Sequence, residues 1–348
     1  MRMLPLSSAA VTAAVTVVAA ALAVLPSAAL AVLPSAALAV SASGTPGASS
    51  FTITDPRIKE SSGLAASRIH PGVYWTHNDS DDGPYVYAVD SATGKTVARV
   101  TLTGIGKPRD VEAISLGPDG QLYVGDIGDN LNGTWDHVWI YRFEEPKELA
   151  DVTVKATQFT VRYADGPRNA EALMVHPVTG RVYIASKDES KGGLYEGPAE
   201  LSTGSANVFR RVADVPWVTD GAFSPDGTRL TLRGYFMART YPWKDGRPEG
   251  EGERVDAPWQ GQAESVTYTP DGRTLMFGAE GEGSRVVAVP VPSAAPSPSG
   301  TAAPAAPGSS AAEPAPQGSF TKGAAVLAVA FVLAFGAKRV FRRRGAGD

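Results

Sequence analysis

Hydrophobic and polar residues alternate with period two along most of the middle of this chain, in short runs interrupted by glycine turns. The clearest case is Arg109–Asn130, where VEAISL, a Pro-Asp-Gly turn and QLYVGD are followed by an acidic loop. Period-two alternation on both sides of a glycine turn predicts a β-hairpin. The unit recurs at Ala170–Ser190 and Ala263–Gly283, and more loosely at Glu60–Ser80 and Thr219–Tyr235. The central turn glycines Gly72, Gly120, Gly180, Gly227 and Gly272 are 48, 60, 47 and 45 residues apart. Several short strands per unit at that period predict an all-β β-propeller.

Each unit carries further strand candidates. Third strands are expected at Val86–Val89, Val138–Phe143, Gly193–Tyr195, Arg239–Trp243 and Arg285–Val289. Fourth strands are expected at Thr96–Leu102, Val152–Tyr163, Val208–Val215 and Glu253–Ala257. The fifth unit lacks a fourth strand, and Phe51–Thr54 (FTIT) stands unassigned before the first. An N-terminal strand completing the last unit would close the ring and remove its open edges. The expectation is five four-stranded blades over residues 51–289. Six blades, with a degenerate one in the long second interval, and an all-β sandwich are the alternatives.

The ends read differently. Residues 1–42 hold one charge, Arg2, a long Ala/Val/Leu run and Ala-x-Ala sites at Ala29–Ala31 and Ala37–Ala39, which is a signal peptide's layout. LPSAALAV occurs twice in tandem, and Pro26 and Pro34 interrupt the run where a spanning helix would continue. Residues 290–319 contain eight prolines and one charge, the composition of a disordered linker. Gly323–Ala337 is uncharged and precedes KRVFRRR. Fifteen helical residues span about 22 Å of a ~30 Å hydrocarbon core. Extension to Phe341, with Lys338 and Arg339 snorkelling, brings the span near sufficiency. A transmembrane helix over 323–341 with a basic cytoplasmic tail, 342–348, predicts a single-pass type I protein of the cell membrane. The propeller would then be extracytoplasmic.

Composition narrows the chemistry. The chain has no cysteine, so an exported domain must be held by packing alone. Residues 51–289 carry 25 Lys and Arg against 34 Asp and Glu, a net charge of −9 that repels nucleic acid. No G-x-S-x-G occurs, which disfavours a nucleophile-elbow esterase. The four histidines, His70, His77, His137 and His176, form no H-E-x-x-H, which disfavours zinc catalysis. NDSDDG at Asn78–Gly83 has its glycine out of register for a calcium loop and reads as a solvated turn. His77 and Asp79 are expected to satisfy turn amides.

Three units place an acid at one register, two residues before a large apolar side chain: Glu112 before Ile114, Glu171 before Leu173 and Glu264 before Val266. The first unit has Ser62 there; the fourth has Gly221, with Thr219 and Asp220 adjacent. First strands line a propeller's channel, so these carboxylates would converge and repel. A calcium ion, which takes six to eight oxygen ligands, would relieve that repulsion. Hydrogen bonds pinning strands would be the alternative use. The candidate metal set is Ser62, Glu112, Glu171, Asp220 and Glu264. Arg109 and Arg168, each three residues before a ring glutamate, with Lys187 and Arg233 at second-strand ends, are candidate phosphate-binding groups. Asp110, Asp126 and Asp129 are candidate general bases, and Trp135, His137 and Trp139 a candidate ligand platform. Surface pairing and core packing are the competing readings for these groups.

Ser62, Glu112, Glu171 and Glu264, each before a small and then an apolar residue, resemble the inner-ring pattern of five-bladed calcium-dependent apyrases. That resemblance implies a central calcium that binds nucleotide phosphates; the fourth unit departs from it. WTHNDS, LYVGDIGDN and the PDG turns are similar to secreted actinobacterial propellers grouped with phytase-like, esterase-like or WD40-like proteins, which implies the fold more than a reaction. Two functions follow: a surface-tethered module binding an extracellular glycan, peptide or protein, or a calcium-dependent phosphoester hydrolase.

Overall fold

In the computed structural model the described residues are 48–80, 82–131 and 133–291. The signal peptide, most of the proline-rich linker, the transmembrane helix and the basic tail expected above lie outside them. Every regular element among the described residues is a strand, and no helix there is long and apolar enough to cross a membrane.

The closing strand β1 (Phe51–Thr52) comes first. It is followed by β2 (Ala65–Ala66), β3 (Val73–Thr76), β4 (Tyr85–Asp90) and β5 (Thr96–Thr103). Next are β6 (Val111–Leu116), β7 (Gln121–Asp126), β8 (Val138–Glu144), β9 (Val152–Lys155) and β10 (Thr157–Tyr163). The third run is β11 (Ala170–Val175), β12 (Val182–Ser186), β13 (Gly193–Glu196) and β14 (Asn207–Asp214). The fourth is β15 (Asp220–Phe223), β16 (Arg229–Gly234), β17 (Met237–Lys244), β18 (Arg247–Pro248) and β19 (Glu253–Val255). The last is β20 (Ser265–Tyr268), β21 (Thr274–Gly278) and β22 (Arg285–Pro290).

These strands pair as five antiparallel meanders: β2-β3-β4-β5, β6-β7-β8-β10, β11-β12-β13-β14, β15-β16-β17-β19 and β20-β21-β22-β1. In the last, Phe51 pairs with Val286 and Thr52 with Arg285, so a strand from the start of the domain completes the sheet at its end. The five turn glycines have φ between 69° and 79°, a left-handed conformation that any side chain would strain.

The single strand expected over Val152–Tyr163 is two. β10 stays with its own meander, whereas β9 pairs in parallel with β5, Val152 opposite Val100. β9 and its flanking loops account for the longer second interval. β10 also pairs in parallel with β14, Val161 opposite Asn207, which joins the second and third meanders into one eight-stranded sheet.

The apolar faces meet between meanders. Trp75, Val100, Leu122 and Tyr141 pack between the first and second, Ile140, Phe159, Leu173 and Ile184 between the second and third. Met174, Leu194, Leu230 and Leu232 fill the third–fourth seam, Ala238, Val266 and Phe277 the fourth–fifth. Phe51, Tyr74, Tyr87 and Met276 close the fifth onto the first. Each fully buried large side chain contributes about 1.5–3 kcal/mol, so the seams stand in for disulfides. The first strands β2, β6, β11, β15 and β20 are neighbours in that order, and β20 lies against β2. Their leading ends carry the candidate site.

Candidate metal centre

Two of the ring glutamates sit at β-bulges. Pairing between β6 and β7 slips between Val111 and Ala113, and pairing between β11 and β12 slips between Ala170 and Ala172. The slipped residues are Glu112 and Glu171. A bulge inserts one unpaired residue and re-aims its side chain, a device common beside functional sites. Glu264 precedes β20 directly, and Ser62 lies just before β2. Glu112, Glu171, Glu264 and Ser62 are all buried.

The structure divides these residues into two groups. In the first, Ser62 Oγ donates to Glu112 Oε2 at 3.1 Å, while the buried Glu112 Oε1 has no hydrogen-bond partner. Carboxylate oxygens of Asp79, Asp110 and Glu112 lie within 4.8 Å of one another, and all three residues are buried. Asn130 Nδ2 donates to Asp110 Oδ2 at 3.2 Å. Gly128 backs this group: a Cβ built there would lie 2.6 Å from Asp110 Oδ2 and 2.7 Å from Glu112 Oε1. Burial, then the neighbouring Glu171 and Asp110 charges, pushes Glu112 well above the usual carboxylate range.

In the second group Lys187, at the end of β12, donates from Nζ to Glu171 Oε1 and, at 3.0 Å, to the Tyr235 hydroxyl. Tyr235 OH donates to Glu264 Oε1 at 2.8 Å. Glu171 Oε2 and Glu264 Oε2 are buried without a hydrogen-bond partner. Burial raises Glu171 to about 8 against the opposing pull of Lys187. Burial works to depress Lys187, but the Glu171 and Glu264 charges outweigh it and hold the ammonium well above its ordinary value. Glu280, at the end of β21, is pushed up to about 9 by burial and by Glu264 and Glu60.

The other expected site residues are placed elsewhere. Asp220 Oδ1 accepts from Gly221 N and Oδ2 from Val266 N, both at 2.7 Å, so its carboxylate ties β15 to β20. Asp126 accepts from the backbone N–H of Arg109 and Asp110 and from Tyr141 OH. Asp129 accepts from Trp135 N at 2.6 Å and more weakly from Leu131 N and Thr134 Oγ1. The Arg109 guanidinium is stacked between Trp135 and Trp139, 4.0 and 3.7 Å from their ring centres, and donates to His137 O. Arg168 pairs with Asp165 at 2.6 Å and lies over Tyr195. Arg233 is buried and donates to Ser265 O, Gly278 O and Gln260 Oε1.

Asp79, Tyr235 and Glu280 join the site without having been expected there. Asp79 and Glu280 follow the second strands of their meanders, as Gly128 follows β7 and Lys187 follows β12, and that repeated position was the available signal. His77, expected to satisfy turn amides, is buried with Nδ1 bonded to the Asn78 carbonyl instead; burial lowers it to about 4, and its Nε2 has no hydrogen-bond partner.

Chemically, the first group can hold a metal ion. It offers only oxygen donors from carboxylates, with a hydroxyl adjacent, which is the donor set of a hard cation.

No family model matches the chain, and no curated protein matches it. Among solved structures it is similar in part to a chain of the mitotic checkpoint complex, at 15% identity over 66% of this chain and 63% of that one, TM-score 0.36. It thus spans less than two thirds of that chain. It is similar to the PQQ-bound aldose sugar dehydrogenase of Streptomyces coelicolor at 12% identity, over 70% of this chain and 99% of that one, TM-score 0.40. A gluconolactonase of Xanthomonas campestris gives 16% identity over 70% and 80%, TM-score 0.42.

Proposed function

We propose that this protein is a five-bladed β-propeller that carries one calcium ion at the end of its channel and binds an extracellular ligand there. In this reading residues 1–42 direct export, 290–319 form a stalk, and the helix at 323–341 anchors the domain to the cell membrane. The observation that carries the proposal is the buried Asp79–Asp110–Glu112 group with its unpartnered Glu112 oxygen. Three carboxylates so placed cost several kcal/mol unless protonated or neutralised. Calcium bonds oxygen at about 2.3–2.6 Å, so oxygens up to roughly 5 Å apart can share one ion. The irregular carboxylate set suits calcium better than magnesium, which demands near-octahedral ligands and keeps its waters.

Calcium-dependent phosphoester hydrolysis is the second reading, since Lys187 sets a cation beside the ring. A phosphate clamp calls for guanidinium groups turned to the ligand, and Arg109, Arg168 and Arg233 are each engaged by aromatic rings, an aspartate or backbone carbonyls. Binding is therefore preferred to hydrolysis.

Calorimetric titration of calcium into the chelator-stripped full-length chain tests the proposal, with Glu112→Gln/Glu171→Gln beside it and phosphate release from nucleotides measured in parallel. One ion per chain, lost in the double variant with β-structure intact, is expected. An absence of calcium binding would reduce the glutamates to strand pins, and phosphate release would move the assignment to the hydrolase.

A further inference from the structure

Four of the first strands, β2, β6, β15 and β20, enclose a cavity of about 330 Å³. Leu64, Ile114 and Val266, two residues past Ser62, Glu112 and Glu264, line its inner end. The cavity thus occupies the part of the channel beyond the carboxylates. It runs out past Arg68, Pro225 and Pro270, which follow β2, β15 and β20 and are exposed. Burial along the strands shows which side chains face it. Ala66, Ser115 and Ala222 are each the one half-buried position of an otherwise buried strand, and Thr267 is the most exposed residue of β20.

Two methyls and two hydroxyls therefore form the wall. Alanine at 66 and 222 leaves open what a branched side chain would fill, and the volume falls at the lower end of small-ligand sites, about 300–1,000 Å³. The hydroxyls keep a proton to give. Ser115 Oγ accepts from Val175 N at 3.0 Å, so its own O–H is left to donate. Thr267 Oγ1 reaches only Tyr268 O, at 3.5 Å.

Arg68 supplies the charge. Its Nη1 donates to Gly117 O at 3.0 Å, which holds the guanidinium across the ends of β2 and β6. Among the described residues no carboxylate pairs with it; Glu145 and Asp119 act on it only at longer range. Both are bonded elsewhere, Glu145 to Trp75 Nε1 and Asp119 to Tyr123 OH. Asp226 and Asp271, in the two turns that follow Pro225 and Pro270, likewise accept from backbone N–H groups of their own turns. A domain of net charge −9 thus lines this cavity with one cation and no acid.

We propose that the cavity binds a small monocarboxylate with an apolar body, the body on the alanine methyls and the carboxylate at Arg68. The wall and rim offer donors, so the ligand must bring acceptors, and a carboxylate beside a guanidinium makes the strongest such bonds. An ammonium group would meet Arg68 and no acid. The alanines and the inner Leu64, Ile114 and Val266 call for an apolar body of limited size. The site does not depend on the ion.

The test is calorimetric titration of the full-length chain in lipid nanodiscs, with empty nanodiscs subtracted, in calcium and in chelator. The probes are acetate, hexanoate and 3-phenylpropionate, with hexanamide and 3-phenylpropionamide as neutral mates. Saturable binding of hexanoate or 3-phenylpropionate is expected in both buffers, with none of acetate. Arg68→Gln, at the exposed rim, should weaken it at least about tenfold, and the amide should bind the native chain as weakly. Ala222→Leu should abolish binding by filling the cavity, while both variants keep native calcium affinity. No binding of either larger acid would overturn the proposal, as would amides that bind as tightly as the acids. Unchanged affinity in Arg68→Gln would do the same, whether or not Ala222→Leu folds. Failure of the calcium site alone would leave carboxylate binding in place.

Discussion

Gly128→Ala separates an ion site from a set of strand-pinning glutamates. Gly128 has no left-handed φ among the described residues, so alanine is conformationally allowed there. Its Cβ would lie 2.6 Å from Asp110 Oδ2 and 2.7 Å from Glu112 Oε1, against an ordinary contact of 3.4 Å or more. The two carboxylates must retreat by about 0.7–0.8 Å, more than the ~0.5 Å tolerance of a built site. Both are ends of side chains, so they can move. Off-rotamer strain of ~0.5–1.5 kcal/mol each gives about 1–3 kcal/mol, partly offset by ~0.4–1 kcal/mol of reduced unfolded-state entropy. The fold should survive while calcium affinity falls on the order of 10- to 100-fold, the scale seen when a ligand's supporting contact is lost. Gly120→Ala is the control: φ is +72° with nothing within 4 Å, so it should cost ~1–2 kcal/mol of strain and leave calcium binding alone. Thermal melts and calcium calorimetry on both variants read the difference. Native calcium affinity in Gly128→Ala would refute the placement of the ion between Asp110 and Glu112. Equal loss in both variants would assign the effect to general destabilisation.

Two further outcomes follow from the seams. Arg233→Met should lower stability by roughly 3 kcal/mol, because the carbonyls of Ser265 and Gly278 lose a buried charged donor; a urea midpoint within experimental error of the native one would disprove it. His176 is lowered by burial, with Nδ1 accepting from the N–H groups of Val178 and Thr179 and Nε2 bonded to Gly227 O. Its folded pKa lies below the unfolded value of about 6.5, so its contribution is complete above that pH and is lost as pH falls toward the folded pKa. Urea midpoints of wild type and His176→Gln at about pH 7.5 and 5 should show the smaller pH effect in the variant; identical slopes would contradict the reasoning.

The meanders were legible because their signals are local: period-two runs, and turn glycines in which φ must be positive. The ring glutamates were legible for the same reason, since a repeated register marks them. What escaped the sequence depends on contacts between units. Asp79 lies in NDSDDG, whose composition is that of a solvated turn, and only the neighbouring Asp110 and Glu112 make it part of a site. Lys187 and Tyr235 are 48 residues apart and meet across the seam of two meanders. Arg109 reads as a phosphate ligand from its distance to Glu112, yet Trp135 and Trp139, from the loop after β7 and from β8, enclose it. The split of Val152–Tyr163 did leave a mark, a change of phase from Val152, Val154 and Ala156 to Phe159, Val161 and Tyr163, but which meander each half joins depends on contacts between units.

A repeat of acids suggests a symmetric ring, and the structure makes it asymmetric. On the Glu171–Glu264 side, Lys187 already brings one positive charge into contact with the carboxylate network, and Tyr235 relays a hydrogen bond from one glutamate's partner to the other. On the Asp79–Asp110–Glu112 side, Ser62 donates to Glu112 and Asn130 to Asp110, both as neutral groups. Neutral donors ease desolvation but do not cancel three charges. The Lys187 charge acts on Glu171 first and on Glu112 as well, and in the proposed site a divalent cation beside Asp110 and Glu112 would supply further compensation there. Lys187→Met would remove that internal cation and make the two halves alike. The variant should then take up a second calcium, or fold only with Glu171 protonated; calorimetry giving one ion per chain at a pH well above 8, with native melting behaviour, would show that the lysine does not set the stoichiometry.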